Sequence, residues 1–203
     1  MGRVNWRGGT LLAPLPPALV SCGVGEEANL LTVAWTGILA TVPPKTYISV
    51  RPERHSHALL LKNPEFVIHL APASLARTVD YCGMYTGAKV NKFERCALTT
   101  APSVSVAPPT VLECPLALEC RITDHVPLGS HDMFIADVTA VTVDERLLDE
   151  KGTLHMERAD LLAYAHGHYY ALGRPIGKFG FSAVKKHTAA RRARNHKQGR
   201  DSR

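Results

Sequence analysis

The segment from Ser49 to His57, SVRPERHSH, combines several side chains that bind anions. Arg51 and Arg54 offer guanidinium groups, which form charge-assisted, paired hydrogen bonds with phosphate. Ser56 stands where a helix is predicted to begin, so its hydroxyl and the free backbone N–H groups add neutral donors. The segment indicates a phosphate-like ligand, and an exposed polar turn is the alternative.

A second segment, Asn29 to Gly37, is suited to a flat heterocycle. It reads NLLTVAWTG, and its β-branched and aromatic residues predict a strand over residues 29–36. A planar ring with an apolar and a polar end needs a flat apolar wall and backbone donors and acceptors along its edge. This strand could supply both. The alternative is that Trp35 packs in the core or at an interface.

The histidines carry a weaker signal. His166 and His168 flank one glycine and precede two tyrosines. Two histidines at this spacing, without a third partner, are weak evidence for a metal ion. We therefore predict surface or interface packing and no metal site. His131 and Asp132 follow a glycine and a serine, and the sequence does not separate a turn from a polar group at a pocket edge.

Two familiar site types are excluded by their context. Residues 23–28, GVGEEA, match a dinucleotide-binding G-x-G-x-x-A pattern. Two glutamates stand where the phosphate would lie, and a strand follows instead of a helix, so we predict a turn between strands. The sequence shows no Ser-His-Asp order, nucleophile elbow or paired carboxylates, which leaves hydrolase chemistry with little support.

The elements that must position these residues are mainly strands. Strands are predicted at residues 29–36, 45–50, 66–70, 111–124, 131–143 and 168–172, and helices at 56–62, 74–82 and 158–165. Imperfect alternation after Phe134 indicates a bulge or a change of the exposed face. Because the helices are inserted between strands and do not alternate with them, we predict a mainly β fold, a β-barrel, in one domain over residues 1–184.

The charge is concentrated at one end of the chain. The net charge is +6, yet residues 185–203 hold eight Lys or Arg and one Asp, while residues 1–184 hold 16 Lys or Arg against 17 Asp or Glu. The tail has almost no large apolar residues, which predicts disorder. Contact with nucleic acid or another polyanion through the tail is the alternative, although nucleic acid is not the expected partner.

Cysteine usage and apolar runs bear on the compartment. The five cysteines are odd in number and include no C-x-x-C pair, which favours reduced, buried thiols. No apolar run approaches the roughly 18 residues of a membrane span. Pro14, Pro16 and Pro17 interrupt the apolar stretch near the N-terminus, so we expect no secretion signal and a cytoplasmic protein.

Taken together, several segments resemble the flavin reductase-like family of the flavoredoxin type. They occur in order between Val20 and Ser182 and read NLLTVAWTG, PPKTYISVRPERHSH, EFVIHL, DYCG, NKF, LECPLALEC, LGSHDMFIADV and AYAHGHYYALGRPIGKFGFS. The resemblance implies an FMN-binding split barrel of Greek-key type that forms a homodimer, with the flavin near the subunit interface.

The same resemblance implies which residues bind FMN. The ring would lie against Asn29, Thr32, Ala34, Trp35 and Thr36. The ribityl phosphate would be held by Ser49, Val50, Arg51, Pro52, Arg54, Ser56 and His57. The cofactor or its rim would be approached by Tyr81, Cys82, Gly83, Lys92 and Phe93, and the pocket closed by His166 and Tyr169. Members of the family commonly have Asp where Asn91 stands.

The activity implied is redox chemistry at the flavin. Hydride from NADH or NADPH would reduce FMN, which would pass electrons to free flavin or to a redox protein. No catalytic side chain is expected, since the cofactor performs the transfer and the protein positions and tunes it. The alternative is an electron carrier without efficient NAD(P)H oxidation of its own.

Overall fold

A seven-stranded antiparallel sheet dominates the structure, a computed structural model that describes residues 1–183. The chain forms β1 (Ala18–Cys22), β2 (Asn29–Val33), β3 (Thr36–Thr41), β4 (Pro44–Val50), β5 (Glu65–Leu70), β6 (Thr100–Ala101), β7 (Thr110–Val111), β8 (Leu116–Pro127), β9 (Asp132–Val143), β10 (Leu162–Ala165) and β11 (His168–Ala171). The order in the main sheet is β2-β1-β5-β8-β9-β4-β3, and β6–β7 and β10–β11 form separate two-stranded pairs.

The main sheet curls because its two edge strands are consecutive in the chain. β2 and β3 lie at opposite edges of the sheet, yet only Ala34 and Trp35 connect them. The backbone N–H of Ser49 donates to the carbonyl oxygen of Trp35 at 2.9 Å, which ties this connection to β4. The sheet therefore closes towards a barrel that stays open at Trp35. The predicted mainly β split barrel is confirmed.

Three helices occupy the connections between strands. They are α1 (His55–Lys62), α2 (Ala76–Met84) and α3 (Lys92–Arg95). Leu59 and Leu60 of α1 are buried in the apolar core. The helix ends at Asn63, as expected for a residue before a proline. α1 therefore caps the barrel interior and holds its own first turn beside β4.

The core has two parts that share β1. Alternate residues Ala18, Val20 and Cys22 pack into a cluster with Ile48 and Phe134. Leu19 points to the other face and packs with residues of α2 and β7. Because β1 is covered on both faces, its sequence is a continuous apolar run and not an alternating one.

The long hairpin of β8 and β9 contains the predicted irregularity. Its register shifts between Glu119 and Cys120 and again between Ile122 and Asp124. Glu119 is fully buried at the first shift. Its carboxylate accepts hydrogen bonds from the N–H groups of Val104 and Ser105 at 2.8 and 2.5 Å. A buried charge thus fastens the preceding loop to the sheet.

Two element predictions were wrong in type or continuity. Residues 158–165 form no helix; a 3-10 turn at Met156–Arg158 is followed by β10, which pairs with β11. Tertiary pairing overrides helix propensity here, since the N–H of Leu162 donates to the carbonyl of Ala71 at 3.0 Å. The strand predicted over 29–36 breaks at residues 34–35, where the chain crosses between sheet edges.

Two element boundaries also moved. The strand predicted from residue 111 begins at Leu116, because Pro115 cannot donate to the ladder and precedes the strand. The helix expected over 74–82 starts as a 3-10 turn at Ala73–Leu75 and becomes α2, which runs through Gly83. Ser74 is therefore not its cap.

The chain divides into two units, Met1–Leu172 and Gly173–Arg203. The described part of the second unit holds a 3-10 turn at Phe181–Ala183. The predicted domain end at residue 184 stays a prediction, and the predicted tail of residues 185–203 lies outside the described residues. Within residues 1–183, no helix has both the length and the apolar character needed to cross a membrane.

Candidate ligand-binding site

A cavity of about 400 Å³ opens where the barrel is incomplete. This volume lies in the usual range for small-molecule sites, roughly 300–1,000 Å³. Residues from several separate chain segments meet on its wall. The predicted site residues among them are Asn29, Thr32, Ala34, Trp35, Ser49, Val50, Arg51, Arg54, Ser56, Cys82, Gly83, Lys92 and Tyr169. Their role in holding a cofactor stays a prediction, but the fold brings them together.

Lys92 is the most unusual residue of this wall, since it is a lysine only 4% exposed. Asn91 caps α3 through hydrogen bonds from the N–H groups of Phe93 and Glu94, which fixes Lys92 at the first helical position. Its ammonium donates to the carbonyl oxygen of Cys82 at 2.8 Å. Burial lowers the pKa of Lys92, and the nearby Arg54 lowers it further. A ligand anion beside Lys92 would stabilise the charged ammonium and so offset both of these effects on its pKa.

The two arginines of the predicted phosphate segment also line the cavity. Arg54 donates from Nη1 to the carbonyl oxygen of Gly83 at 3.0 Å, which bridges the start of α1 to the end of α2. Arg51 is exposed and lies 3.5 Å from the carboxylate of Glu53. The cavity therefore has three cationic side chains, while Asp80 is the one carboxylate on its wall among the described residues.

Neutral donors stand beside these cations. The buried Asn29 donates from Nδ2 to Oγ of the buried Ser56 at 2.7 Å. This bond occupies an acceptor site of the hydroxyl, so its proton remains available as a donor, and the thiol of Cys22 is one acceptor beside it. The loop carrying Gly87 closes over Asn29, because a Cβ at Gly87 would stand 2.0 Å from Oδ1 of Asn29. Asn29 and Ser56 are thus held in place before any ligand arrives.

An aromatic pair forms a flat part of the wall. The indole of Trp35 and the imidazole of His131 are parallel to within 4°, with ring centroids 6.2 Å apart. Both residues line the cavity, and Trp35 is 39% exposed. The break between β2 and β3 is what turns Trp35 out of the sheet. A flat ring could lie against these surfaces.

The hairpin of β10 and β11 closes another side of the cavity. Its turn, His166–Gly167, has positive φ at both residues, which the two-residue hairpin connection requires. The hydroxyl of Tyr169 donates to Oδ1 of Asp80 at 3.2 Å. Burial and the Asp80 charge raise the pKa of Tyr169 to about 12, so this phenol stays protonated.

The cysteines near the cavity are poor nucleophiles. Burial raises the pKa of Cys22 to about 12, although a hydrogen bond to Ser56 and the Lys92 charge act in the opposite direction. Burial likewise raises the pKa of Cys82 to about 12. Since the thiolate is the reactive form, covalent thiol chemistry is not favoured at these positions.

Six predicted site residues lie off the wall of this cavity. Pro52 is in the exposed turn before α1. Thr36 donates to the carbonyl oxygen of Tyr47 at 2.6 Å, and Tyr81 stacks on Tyr85. Phe93 packs in the second core cluster, and His57 faces Asp132. His166 lines a smaller cavity of about 260 Å³.

Sequence reasoning missed several lining residues. Tyr85, Thr86 and Gly87 follow α2, in a stretch without a distinct motif. Only the prediction that α2 ends near residue 83 could have placed them at the cavity. His131 was left undecided between a turn and a pocket edge, and it lies at the pocket edge.

A family model described as the flavin reductase like domain matches residues 11–173. The chain belongs to this family. The resemblance noted in the sequence is thereby confirmed, and membership supports a flavin-related oxidoreductase.

Two relatives show the extent of the similarity. An uncharacterized protein of Archaeoglobus fulgidus is 33% identical over 140 residues, which is 69% of this chain and 78% of the relative. The NADPH-flavin oxidoreductase of Streptomyces viridifaciens is 28% identical over 135 residues, which is 65% of this chain and 68% of the relative.

Two solved structures share the fold. Flavoredoxin of Desulfovibrio vulgaris aligns with a TM-score of 0.83 at 27% identity, over 90% of this chain and 100% of that chain. The FMN-binding protein from Thermus thermophilus, solved with bound 1-cyclohex-2-enone, aligns with a TM-score of 0.72 at 28% identity. That match covers 88% of this chain and 99% of the Thermus protein.

Proposed function

We propose that the chain binds FMN in the 400 Å³ cavity and acts as an NAD(P)H-dependent oxidoreductase. The observation that carries the proposal is the buried ammonium of Lys92, which lines this cavity together with Arg51 and Arg54. A buried cation needs a compensating charge. A phosphate dianion in the cavity would supply it.

The residues present fit both parts of FMN. Charge-assisted hydrogen bonds from Lys92, Arg51 and Arg54 suit a terminal phosphate. The hydroxyl of Ser56, fixed by Asn29, adds a neutral donor. Trp35 and His131 offer flat surfaces for a planar heterocycle. These groups would bind and orient the cofactor, and the β10–β11 hairpin would exclude water from one side.

When bound, FMN supplies hydride and electron transfer. Protein side chains cannot carry out this chemistry by themselves. We infer NADH or NADPH as the electron donor and free flavin or a redox protein as the acceptor. The similarity to a protein named NADPH-flavin oxidoreductase supports this direction of flow. Protonated Tyr169 and the high-pKa thiols have no assigned proton transfer, which agrees with chemistry centred on the cofactor.

The test is spectroscopic. The purified chain is expected to carry, or to take up, one FMN per chain with the absorption bands of a bound flavin. Anaerobic mixing with NADH or NADPH in a stopped-flow instrument should then bleach those bands as one hydride is transferred to each FMN. A colourless protein that does not bind added FMN would contradict the proposal.

A second candidate is an electron carrier that receives electrons from a partner protein. The structural match to a flavoredoxin, at a TM-score of 0.83, favours it. The same stopped-flow experiment separates the two. Negligible bleaching by either nucleotide, with rapid bleaching by a reduced redox protein, would identify a carrier.

We also propose a homodimer in the cytoplasm. β3 is an edge strand, and around it Ile38 and Val42 are 85% and 92% exposed. Adjacent exposed apolar side chains are typical of an interface. All five cysteines are free thiols, which agrees with a reducing compartment.

A further inference from the structure

Three ligating side chains meet next to the cavity, although the chain separates them widely. His57 belongs to α1, His125 lies near the end of β8, and Asp132 is the first residue of β9. Nε2 of each imidazole lies 2.8 Å from the same carboxylate oxygen, Oδ2 of Asp132. All three potential ligand atoms lie within 4.8 Å of one another.

The fold places these groups through strand pairing. Asp132 is opposite both Val50 of β4 and Pro127 of β8, so it stands at the junction of three segments. His125 is opposite Phe134, whose ring stacks on its imidazole with centroids 4.8 Å apart. The same ring meets the imidazole of His57 edge-on at 5.4 Å. An apolar ring therefore supports both histidines from one side.

We propose that His57, His125 and Asp132 bind one divalent transition-metal ion of the Zn²⁺ type. Two imidazole nitrogens and a carboxylate oxygen are a donor set that zinc accepts, with water as a fourth ligand. Ligands about 2.0–2.2 Å from zinc in a tetrahedral site stand roughly 3.3 Å apart. Each 2.8 Å separation would therefore have to widen by about half an ångström. Each Nε2–H proton would have to be released or carried on Nδ1, so that the Nε2 lone pair binds the metal.

Charge and exposure favour a cation at this position. Two neutral imidazoles and a carboxylate carry one negative charge, which a divalent ion would compensate. The side chains of His57 and Asp132 are each 11% exposed, whereas that of His125 is 33% exposed. A water ligand could enter on the His125 side.

The site is separate from the flavin cavity but adjoins it. None of the three residues lines the cavity, yet Ser56 and His131, their immediate neighbours in the chain, do. A metal ion would fasten the first turn of α1 to the β8–β9 hairpin. His57 would then bind the metal ion and not the phosphate, and metal binding would not depend on FMN.

Zinc titration by calorimetry on the tag-free, chelator-treated full chain tests the proposal. We expect one Zn²⁺ per chain in the wild type and binding at least roughly tenfold weaker in His125→Ala and Asp132→Asn. His155→Ala is the matched control, because His155 also contacts carboxylates, Asp149 and Glu157, but has no second imidazole beside it in the described residues. The control should bind zinc as the wild type does.

A second measurement keeps the proposal falsifiable if Asp132→Asn fails to fold. The X-ray absorption spectrum of zinc-loaded wild-type protein should show two imidazole ligands and one or more oxygen ligands. Absence of stoichiometric zinc uptake by the wild type would overturn the proposal. Equal affinity in wild type and His125→Ala would overturn it as well. Flavin content is measured separately, so a failed metal site and a failed flavin site give different results.

Discussion

At the scale of single residues, Lys92 is the most deeply buried charged side chain on the described cavity wall. Moving an ammonium out of water is unfavourable unless an opposite charge or several acceptors compensate. The structure provides the carbonyl oxygen of Cys82 as an acceptor, and the guanidinium of Arg54 on the same cavity wall repels the ammonium. Such a position is retained at a stability cost, which is typical of functional residues.

Replacing Lys92 with Met should therefore separate binding from stability. We expect FMN affinity to fall by roughly ten- to hundredfold, since charge-assisted hydrogen bonds contribute about 1.5–3 kcal/mol. The free energy of unfolding of the flavin-free protein should stay the same or rise, because a desolvated charge is removed. Calorimetric FMN titration and urea denaturation provide the two measurements.

Lys62→Met is the matched control, because this exposed lysine pairs with Glu27 and neither residue lines the cavity. It should leave FMN affinity unchanged.

The pH dependence of FMN affinity has a defined sign. Because the folded-state pKa of Lys92 is lowered, its charge is lost at a lower pH than for a free lysine, and FMN affinity should weaken as the pH rises through that value. Equal affinities for Lys92→Met and wild type would place the phosphate elsewhere.

At the scale of elements, the bulged β8–β9 hairpin depends on Glu119. Burial by itself raises the pKa of this carboxyl, but hydrogen bonds from Val104 and Ser105 outweigh it and leave the pKa lowered. Ser105 contributes its hydroxyl at 2.7 Å as well as its N–H. The carboxylate thus joins the loop before β7 to the strand that pairs with β5.

We expect Glu119→Gln to lower the free energy of unfolding by about 1–3 kcal/mol, since the amide group would face a buried N–H donor. Because the pKa of Glu119 is lower in the folded state than in the unfolded chain, where it is near 4.3, its ionisation stabilises the native protein at pH values above about 4.3. This stabilisation is lost as the pH falls through the folded-state pKa. Wild-type stability should therefore decrease with acid more steeply than that of the variant. Urea denaturation from pH 7 to about pH 2 measures both, with the exposed Glu150→Gln as control.

The sequence predicted elements well where the signal is local. Ser49 to His57 combines a strand end, a turn and a helix start within nine positions, and the structure keeps them together at the cavity. The strand break at Trp35 was missed because it follows from barrel closure, not from residue preference. The false helix at 158–165 has the same cause, since β10 exists only through its pairing with β11.

Contacts between residues far apart in the chain explain which features around the cavity could not be predicted from the sequence. Asp132 is 75 positions from His57, and no local pattern links them. The cluster arises only because β9 pairs with β4 and β8 at once. Similarly, the burial of Lys92 depends on α2 and α3 closing together, whereas its own segment looks like an ordinary polar turn.

At the scale of the whole molecule, the exposed edge of the sheet has an expected partner. Unpaired edge strands with apolar side chains promote association between chains. β3 and the turn after it present Ile38, Leu39 and Val42 to solvent, without charged residues among them. A second copy of the chain would cover this surface in the proposed homodimer.

Replacing Ile38 and Val42 together with Asp should convert the dimer to a monomer, because desolvating two carboxylates in an apolar interface is unfavourable. Sedimentation velocity measures the change. Val104→Asp is the control, since Val104 is also exposed, at 78%, but lies on a different loop. A wild-type monomer at all concentrations, or a dimer that survives the double substitution, would contradict this prediction.

The placement of the two tryptophans has a practical consequence. Trp6 is 75% exposed near the N-terminus, whereas Trp35 stands on the cavity wall parallel to His131. A Trp6→Phe chain would keep a single indole, at the place where a ligand would arrive. Its intrinsic emission would serve as a built-in optical reporter of cavity occupancy, free of any attached dye.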